Sequence, residues 1–96
     1  MLTTKQRAYL RSLAQTEEAI FQIGKGGATR ELVEALSDAL EKRELIKISV
    51  LQNCEDDVKY LADVVSTRTH AELVQTIGKK IILYRPSKKP HIILPR

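Results

Sequence analysis

A short glycine-rich segment is the part of the chain whose residue types and spacing could bind a ligand. Gly24, Gly26 and Gly27 surround Lys25, between an apolar run at 19–23 and an amphipathic helical pattern that follows. Glycine adopts positive φ angles and lets another molecule approach the backbone closely. Unpaired N–H groups at the start of a helix attract phosphate, and a lysine adds a positive charge. The segment therefore predicts a strand-to-helix turn that contacts the phosphates of a nucleotide or of a phosphodiester.

The distribution of charge extends this prediction beyond the loop. The formal net charge is +4 and the pI is about 9.4, but residues 1–16 carry +3, residues 17–72 carry −5 and residues 73–96 carry +6. If the fold brings the two ends beside the glycine loop, they form one positive face, which is typical of a protein with a polyanionic partner. The candidate contacts outside the glycine segment are Lys5, Arg7, Arg11, Arg30, Lys79, Lys80, Arg85, Lys88 and Lys89. We expect two or three of the C-terminal bases to touch the partner.

The other reactive side chains form no pattern that predicts catalysis. His70 and His91 stand apart from any metal-ligand spacing, and Cys54 is the single cysteine of the chain. Asp56 and Asp63 share a helical face but lack an apolar pocket that would make them an acid–base pair. The nucleotide-binding pattern Gly-x-x-x-x-Gly-Lys-Ser/Thr is also absent from the sequence. We therefore expect no catalytic residues, no metal, no cofactor and no small-molecule substrate.

Composition bounds the class of protein. The sequence has 96 residues, of which 43% are apolar and 29% charged, as in one globular domain covering 1–96. No apolar run approaches the ~18 residues that a membrane span needs, and the N-terminus lacks an apolar signal segment. With a lone cysteine, these features indicate a cytoplasmic protein in a reducing compartment, with no membrane partner. We expect it to be a monomer.

The periodicity of apolar residues predicts which elements hold the loop. Thr3 and Gln6 have capping-box spacing before the first helix, Thr29 opens the second, and Asn53 is the predicted cap of the third. Glu55, Asp56 and Asp57 then fill the first turn of that helix. The predicted elements are helix 4–15, strand 19–23, a helix from 29, strand 45–51, a helix from 53, strand 73–77, a turn at 78–79 and strand 80–84.

This order, α-β-α-β-α-β-β, predicts an α/β fold of the α+β sandwich kind, in which helices pack on a mixed four-stranded sheet. Strand–helix–strand units favour parallel neighbours, and the last two strands favour an antiparallel hairpin with a type II′ turn at Gly78. Tyr84 is expected to fill the edge between sheet and helix rather than to stack on a base. The apolar tail 92–94 is a candidate edge strand, either within the chain or with another molecule.

Several spaced motifs together resemble a known family. They are Leu2-Thr3-Thr4-Lys5-Gln6-Arg7, Ile23-Gly24-Lys25-Gly26-Gly27, Glu44-Leu45-Ile46-Lys47-Ile48, Gln75 with Ile77-Gly78-Lys79, Leu83-Tyr84-Arg85-Pro86 and Leu94-Pro95-Arg96. They resemble the CRM domain, named for chloroplast RNA splicing and ribosome maturation, in its free-standing bacterial YhbY-like form. The resemblance covers essentially the whole chain.

The resemblance implies an RNA-binding module similar in fold to the C-terminal domain of the third bacterial translation initiation factor. It also implies a ribosomal RNA partner in precursors of the large ribosomal subunit, and a Gly-x-x-Gly loop at Gly24–Gly27 like the loop with which KH domains clamp RNA backbone. Two other readings stay open. One is a small nucleotide-binding enzyme or regulator that uses the same loop, and the other is a protein-interaction adaptor that uses the acidic second and third helices.

Overall fold

The computed structural model describes residues 2–96 and contains the elements in the predicted order. They are α1 (Thr4–Ala14), β1 (Ala19–Ile23), α2 (Arg30–Arg43), β2 (Leu45–Val50), α3 (Val58–Thr69), β3 (Glu72–Ile77) and β4 (Lys80–Tyr84). Strands β1 and β4 have the predicted bounds, and β2 and β3 differ from the prediction by one residue each. No helix in the described part of the chain is long and apolar enough to cross a membrane.

Two of the predicted helix caps are present. The Thr3 hydroxyl accepts a hydrogen bond from the Gln6 backbone N–H at 3.0 Å, and the Gln6 side chain accepts one from the Thr3 N–H at 3.1 Å. This is the reciprocal arrangement of a capping box. Thr29 caps α2 by accepting a hydrogen bond from the Leu32 N–H at 3.1 Å. The sequence signal for the start of a helix is therefore confirmed at α1 and α2.

The predicted cap of α3 is wrong. Asp57 caps this helix, with its carboxylate accepting a hydrogen bond from the Lys59 N–H at 3.1 Å. Cys54 turns inward and is buried against the core, so the chain around it forms a loop rather than a first helical turn. The capping residue is therefore Asp57, the last acid before the apolar residues of α3 begin. Asn53 is left beside the glycine loop.

The sheet is mixed and has the strand order β1-β2-β4-β3. Strands β1 and β2 are parallel neighbours, whereas β4 pairs antiparallel with both β2 and β3. The expectation that β2 and β3 would be parallel neighbours is therefore wrong, because β4 lies between them. Strand β4 is apolar on both faces, with Ile81 and Leu83 on one and Ile82 and Tyr84 on the other, which suits a central strand covered on both sides.

Helices cover both faces of the sheet in an α+β arrangement. Helices α2 and α3 pack on the face that carries Ile46, Ile48 and Val50, the three residues predicted to share one side of β2. Helix α1 packs on the other face, where Leu10 and Ala14 join the smaller apolar cluster.

The C-terminal tail completes the smaller cluster without forming a strand. Ile92 and Leu94 pack against the cluster that includes Tyr84, while Ile93 between them is exposed. The predicted edge strand at 92–94 is therefore absent from the described structure. Tyr84 is buried, as expected, and burial together with the nearby negative charge of Glu44 raises the pKa of its hydroxyl.

Candidate nucleic-acid interface

The glycine loop forms a tight turn between β1 and α2. The Gly27 N–H donates a hydrogen bond to the Gly24 carbonyl at 2.9 Å, and Gly27 has a φ of 67°. Lys25 and Gly26 form the exposed tip of this turn. Within residues 2–96, the N–H groups of Lys25, Gly26 and Ala28 donate no hydrogen bond. Lys25 and Gly26 are exposed, whereas Ala28 is half-buried against the core. The Gly27 N–H is not available to a ligand, because it is used inside the turn.

Two glycines of the loop have different structural requirements. A Cβ at Gly27 would lie 2.8 Å from the Asp56 carboxylate, and the positive φ adds strain for any L side chain. A Cβ at Gly26 would meet only a methyl group of Thr29 at 3.5 Å, which is ordinary contact. The exposed Asp56 side chain can move aside, so the positive φ is what favours glycine at 27, whereas position 26 accepts a side chain. This difference makes Gly26 a suitable position for testing ligand contact without disturbing the fold.

The loop shares one end of the sheet with the β3–β4 hairpin. The Leu51 N–H donates to the Ile23 carbonyl at 2.9 Å, and the Val50 N–H donates to the Lys79 carbonyl at 2.7 Å. These bonds place the end of β2 between the glycine loop and the hairpin. Exposed bases at this end, which we call the loop end, are Lys25, Arg30, Lys79 and Lys80.

Two of these bases have partners, and one acid lies among them. Arg30 is highly exposed and pairs with Glu34 one helical turn later, at 3.2 Å. The Lys80 ammonium donates to the Ser49 hydroxyl at 2.9 Å. The Asp56 carboxylate beside Gly27 is also exposed. The positive charge of the loop end therefore lies mainly on the Lys25 side of the turn and at the hairpin.

Three other predicted contacts lie at the opposite end of the sheet. The Arg85 side chain is only 20% exposed, because its guanidinium donates to both oxygens of Ser37 and to the Thr69 carbonyl, at 2.7–3.0 Å. Lys88 and Lys89 follow it and are exposed. The fold thus brings Lys79 and Lys80 to the glycine loop but separates Arg85, Lys88 and Lys89 from it.

The bases of α1 are divided in the same way. Lys5 is exposed near the start of α1, where the Gln6 side chain donates to the Pro95 carbonyl at 3.1 Å. Arg7 is half-buried, and its guanidinium donates to the carbonyls of Leu73 and Val74 on β3. Arg11 lies near the end of α1 and lines a recess on the sheet. Only Arg11 among the three is placed toward the loop end.

A buried acid, Glu44, organises the end of the sheet opposite the loop. It stands between α2 and β2 with a φ of 66° and no exposed surface. One carboxylate oxygen accepts the N–H groups of His91 and Ile92 at 2.9 and 2.8 Å, and the other accepts the Ser87 N–H at 2.7 Å. Burial alone would raise the pKa of this carboxyl, but the backbone hydrogen bonds outweigh burial and lower the pKa from 4.5 to about 2.

The comparisons with known proteins agree with this architecture. The model of the family described as the CRS1 / YhbY (CRM) domain matches residues 2–85. The chain is 49% identical over 89 residues to the "Probable RNA-binding protein YqeI" of Bacillus subtilis, covering 93% of each chain. The chain belongs to the CRM family. An "RNA-binding protein" of Haemophilus influenzae is 35% identical, over 99% of this chain and 96% of that protein.

A solved structure shows the same CRM fold. The solution structure of a Staphylococcus aureus protein, described as a candidate RNA-binding protein, is 54% identical and superimposes with a TM-score of 0.84. It covers 99% of this chain and 100% of its own. These comparisons confirm the resemblance stated from the motifs and the predicted fold class. These CRM relatives carry RNA-binding names, which agrees with the expectation of an RNA-binding protein.

Sequence reasoning about this CRM domain missed two residues. Lys47 lies on β2 and lines the same recess as Arg11. Its signal was a lysine inside an otherwise apolar strand. Glu44 was quoted only as part of a motif. Its signal was an acid at the C-terminal end of a helix, where the helix dipole disfavours negative charge unless the acid has another partner.

The described part of the CRM domain contains no grouping that could hold a metal. Within residues 2–96, no three His, Cys, Asp or Glu side chains lie close enough together to ligate an ion. The exposed cations and the unpaired N–H groups of the loop end are features that could bind an anionic partner.

Proposed function

We propose that this chain is a non-catalytic RNA-binding protein that holds RNA backbone phosphates at the Gly24–Gly27 loop. One observation carries the proposal. The N–H groups of Lys25, Gly26 and Ala28 are unpaired in the turn that leads to α2, and Lys25 is exposed. The helix dipole and these donors favour an anion at the tip of the loop. The RNA-binding names of the relatives support RNA as the polyanion.

The position of Asp56 limits where the phosphate lies. Its carboxylate adjoins Gly27, and like charges at this distance repel one another even near the protein surface. The phosphate therefore contacts the Lys25–Gly26 side of the turn. Lys79 and Lys80, at the same end of the sheet, neutralise neighbouring phosphates. Such contacts hold the RNA in place without reading its sequence.

We further propose that the RNA is ribosomal RNA in precursors of the large ribosomal subunit, as the CRM resemblance implies, and that the protein acts there as a monomer in the cytoplasm. Sedimentation of the tagged chain through a gradient of cell extract tests both the partner and the process. We expect the protein to sediment with large-subunit precursors at low salt and to leave them as salt rises. The affinity for a single strand falls as the salt concentration rises, and each phosphate contact adds about −0.7 to the slope of log affinity against log salt concentration.

The double substitution Lys25→Asp and Gly26→Asp tests the loop itself. It adds negative charge where the phosphate would lie, and position 26 has room for the side chain. A matched control is Lys42→Asp with Thr67→Asp, which makes the same charge change at exposed positions of α2 and α3. We expect the loop variant to fold normally and to lose most RNA binding, whereas the control retains it. Full binding by a folded loop variant would show that the loop is only a turn.

Equilibrium dialysis with labelled ATP and GTP separates this function from nucleotide binding by the same loop. We expect no saturable binding of either nucleotide at concentrations where RNA binds. Tight nucleotide binding without RNA affinity would overturn the proposal.

A further inference from the structure

Helix α1 covers only part of its face of the sheet, and the uncovered part adjoins the glycine loop. The helix ends at Ala14, which packs with Ile82 of β4 in the smaller apolar cluster. Beyond this point a recess of about 210 Å³ opens on the sheet. Its apolar lining includes Ala14, Ile82 and Ile77, the last of which is 54% exposed.

The strand register shows that this recess is continuous with the loop end. Lys47, Ile82 and Gln75 are paired across three strands and form one row beneath the recess. The next row toward the loop pairs Gln22, Ser49, Lys80 and Ile77 across all four strands. Residues two apart on a strand share a face, so both rows point to the α1 side. The second row begins at Gln22, two residues before Gly24, and spans about 14 Å at a strand spacing of about 4.8 Å.

The side chains of this surface are chemically complementary to a nucleotide. Arg11 and Lys47 line the recess, and none of its seven lining residues is acidic. The Lys80 ammonium is held over the second row by the Ser49 hydroxyl at 2.9 Å. The side-chain amides of Gln15 and Gln75 also line the recess and can both donate to and accept from the edge of a base. A lining of apolar, amide and cationic side chains suits a base and its phosphate.

We propose that the recess between α1 and the sheet receives one unstacked nucleotide of a single-stranded RNA whose backbone crosses the glycine loop. This inference rests on the proposed function, because it extends the same RNA from the loop along the second row. The strand is single because only unstacked bases can turn into a recess of the protein surface. The loop then contributes phosphate contacts, and the recess contributes contacts with a base.

The test uses the full chain and a fluorescently labelled 12-nucleotide RNA without secondary structure, with affinity measured by anisotropy. Substituting Arg11→Gln together with Lys47→Gln removes the two cations that line the recess. We expect a roughly tenfold loss of affinity and a salt slope that is shallower by about 1.4, as for two phosphate contacts. The control, Lys42→Gln, removes an exposed cation from the far end of α2 and should bind as the native chain does. Circular dichroism shows whether each variant is folded.

A second measurement locates the base. RNA that contains 4-thiouridine is crosslinked to the native chain, and the attached peptides are identified by mass spectrometry. We expect crosslinks in the peptides that carry Gln75 and Lys47, and fewer of them in Gln75→Ala. Adenosine monophosphate serves as a second probe, because it offers a base and a phosphate without a strand. Binding of this mononucleotide as tightly as the RNA would overturn the inference that a strand is the ligand.

The outcomes separate this inference from the proposed function. Unchanged affinity in the folded Arg11→Gln/Lys47→Gln variant, with weak binding by the loop variant, would contradict the recess as a binding site and leave the loop proposal standing. Crosslinks confined to the loop peptide would have the same meaning. If neither the loop variant nor the recess variant lost affinity, or if the native chain bound no RNA, both the proposed function and this inference would be contradicted.

Discussion

A residue with a positive φ stands at a helix junction at each end of the sheet, but the two junctions have different roles. At the loop end, Gly27 turns the chain into α2 with a φ of 67°, and nearby N–H groups are left unpaired. At the other end, Glu44 turns the chain out of α2 with a φ of 66°, and both oxygens of its carboxylate accept backbone N–H groups. One junction offers donors to an anion from outside, and the other binds an anion supplied by the chain itself.

The Glu44 end shows what backbone donors do for an anion once water is excluded. Three N–H groups from residues 87–92 donate to the carboxylate and, against the opposing effect of burial, lower its pKa from 4.5 to about 2. The loop end has comparable donors but lies open to solvent, where each contact is weaker and screened by salt. We therefore expect changes at the Glu44 end to alter folding stability, and changes at the loop end to alter RNA affinity. The following predictions test this division.

The largest effect is expected from removing the Glu44 carboxylate. Glu44→Ala leaves the partly buried N–H groups of Ser87, His91 and Ile92 without their acceptor, which costs about 3 kcal/mol of unfolding free energy. Urea denaturation followed by circular dichroism measures the loss. Glu34→Ala is the control, because Glu34 is exposed and makes only a surface ion pair with Arg30. A loss below 1 kcal/mol in Glu44→Ala would mean that the two ends do not differ in this way.

The acid dependence of stability gives the next largest effect. A carboxyl whose folded pKa of about 2 lies below its ordinary 4.5 stabilises the fold fully above about pH 5. This contribution, at most about 3 kcal/mol, is lost as the pH falls from 4.5 through 2. We expect the native chain to lose more stability over this range than Glu44→Gln, which has no such group to titrate. Parallel profiles for the two proteins would contradict the role assigned to Glu44.

The contrast between the ends also explains how far the sequence could be read. The turn at the glycine loop was predictable because its signals are local. They are the cluster of glycines, of which Gly27 takes a positive φ, and the Thr29 cap, which accepts the Leu32 N–H. The apolar runs at 19–23 and 80–84 predicted the bounds of β1 and β4, and period-two alternation predicted β2 to within one residue. Local signals could not predict the strand order, in which β4 lies between β2 and β3. This order depends on the burial of both faces of β4 in the assembled sheet.

The candidate contacts show the same limit. Basic charge at both ends of the sequence predicted one positive face, but the fold sends Lys79 to the loop and Arg85 to the opposite end. Arg85 instead bonds the end of α3 and the middle of α2, which only the tertiary structure reveals. Lys47 was not predicted, because its meaning depends on where α1 stops covering the sheet. Charge counts thus predict a class of partner better than they predict which residues meet it.

A smaller effect distinguishes the two ends as RNA contacts. Lys25→Gln and Lys88→Gln remove one exposed lysine each, from the loop end and from the opposite end. We expect Lys25→Gln to weaken RNA binding three- to tenfold and to make the salt slope shallower by about 0.7, since one phosphate contact is lost. Lys88→Gln should change affinity less than about twofold. Anisotropy titrations at several salt concentrations measure both, and equal losses would indicate that the RNA reaches both ends.

The smallest effect is expected from the acid beside the loop. Asp56→Asn removes a negative charge next to Gly27 while leaving the cap of α3 at Asp57 intact. RNA affinity should rise about twofold at low salt, and the gain should shrink above 0.15 M salt, where the Debye length is about 8 Å. Asp63→Asn makes the same change on the exposed surface of α3 and should have less influence. An equal gain from both would mean that net charge rather than position controls binding, whereas a gain confined to Asp56→Asn places a phosphate within reach of Gly27.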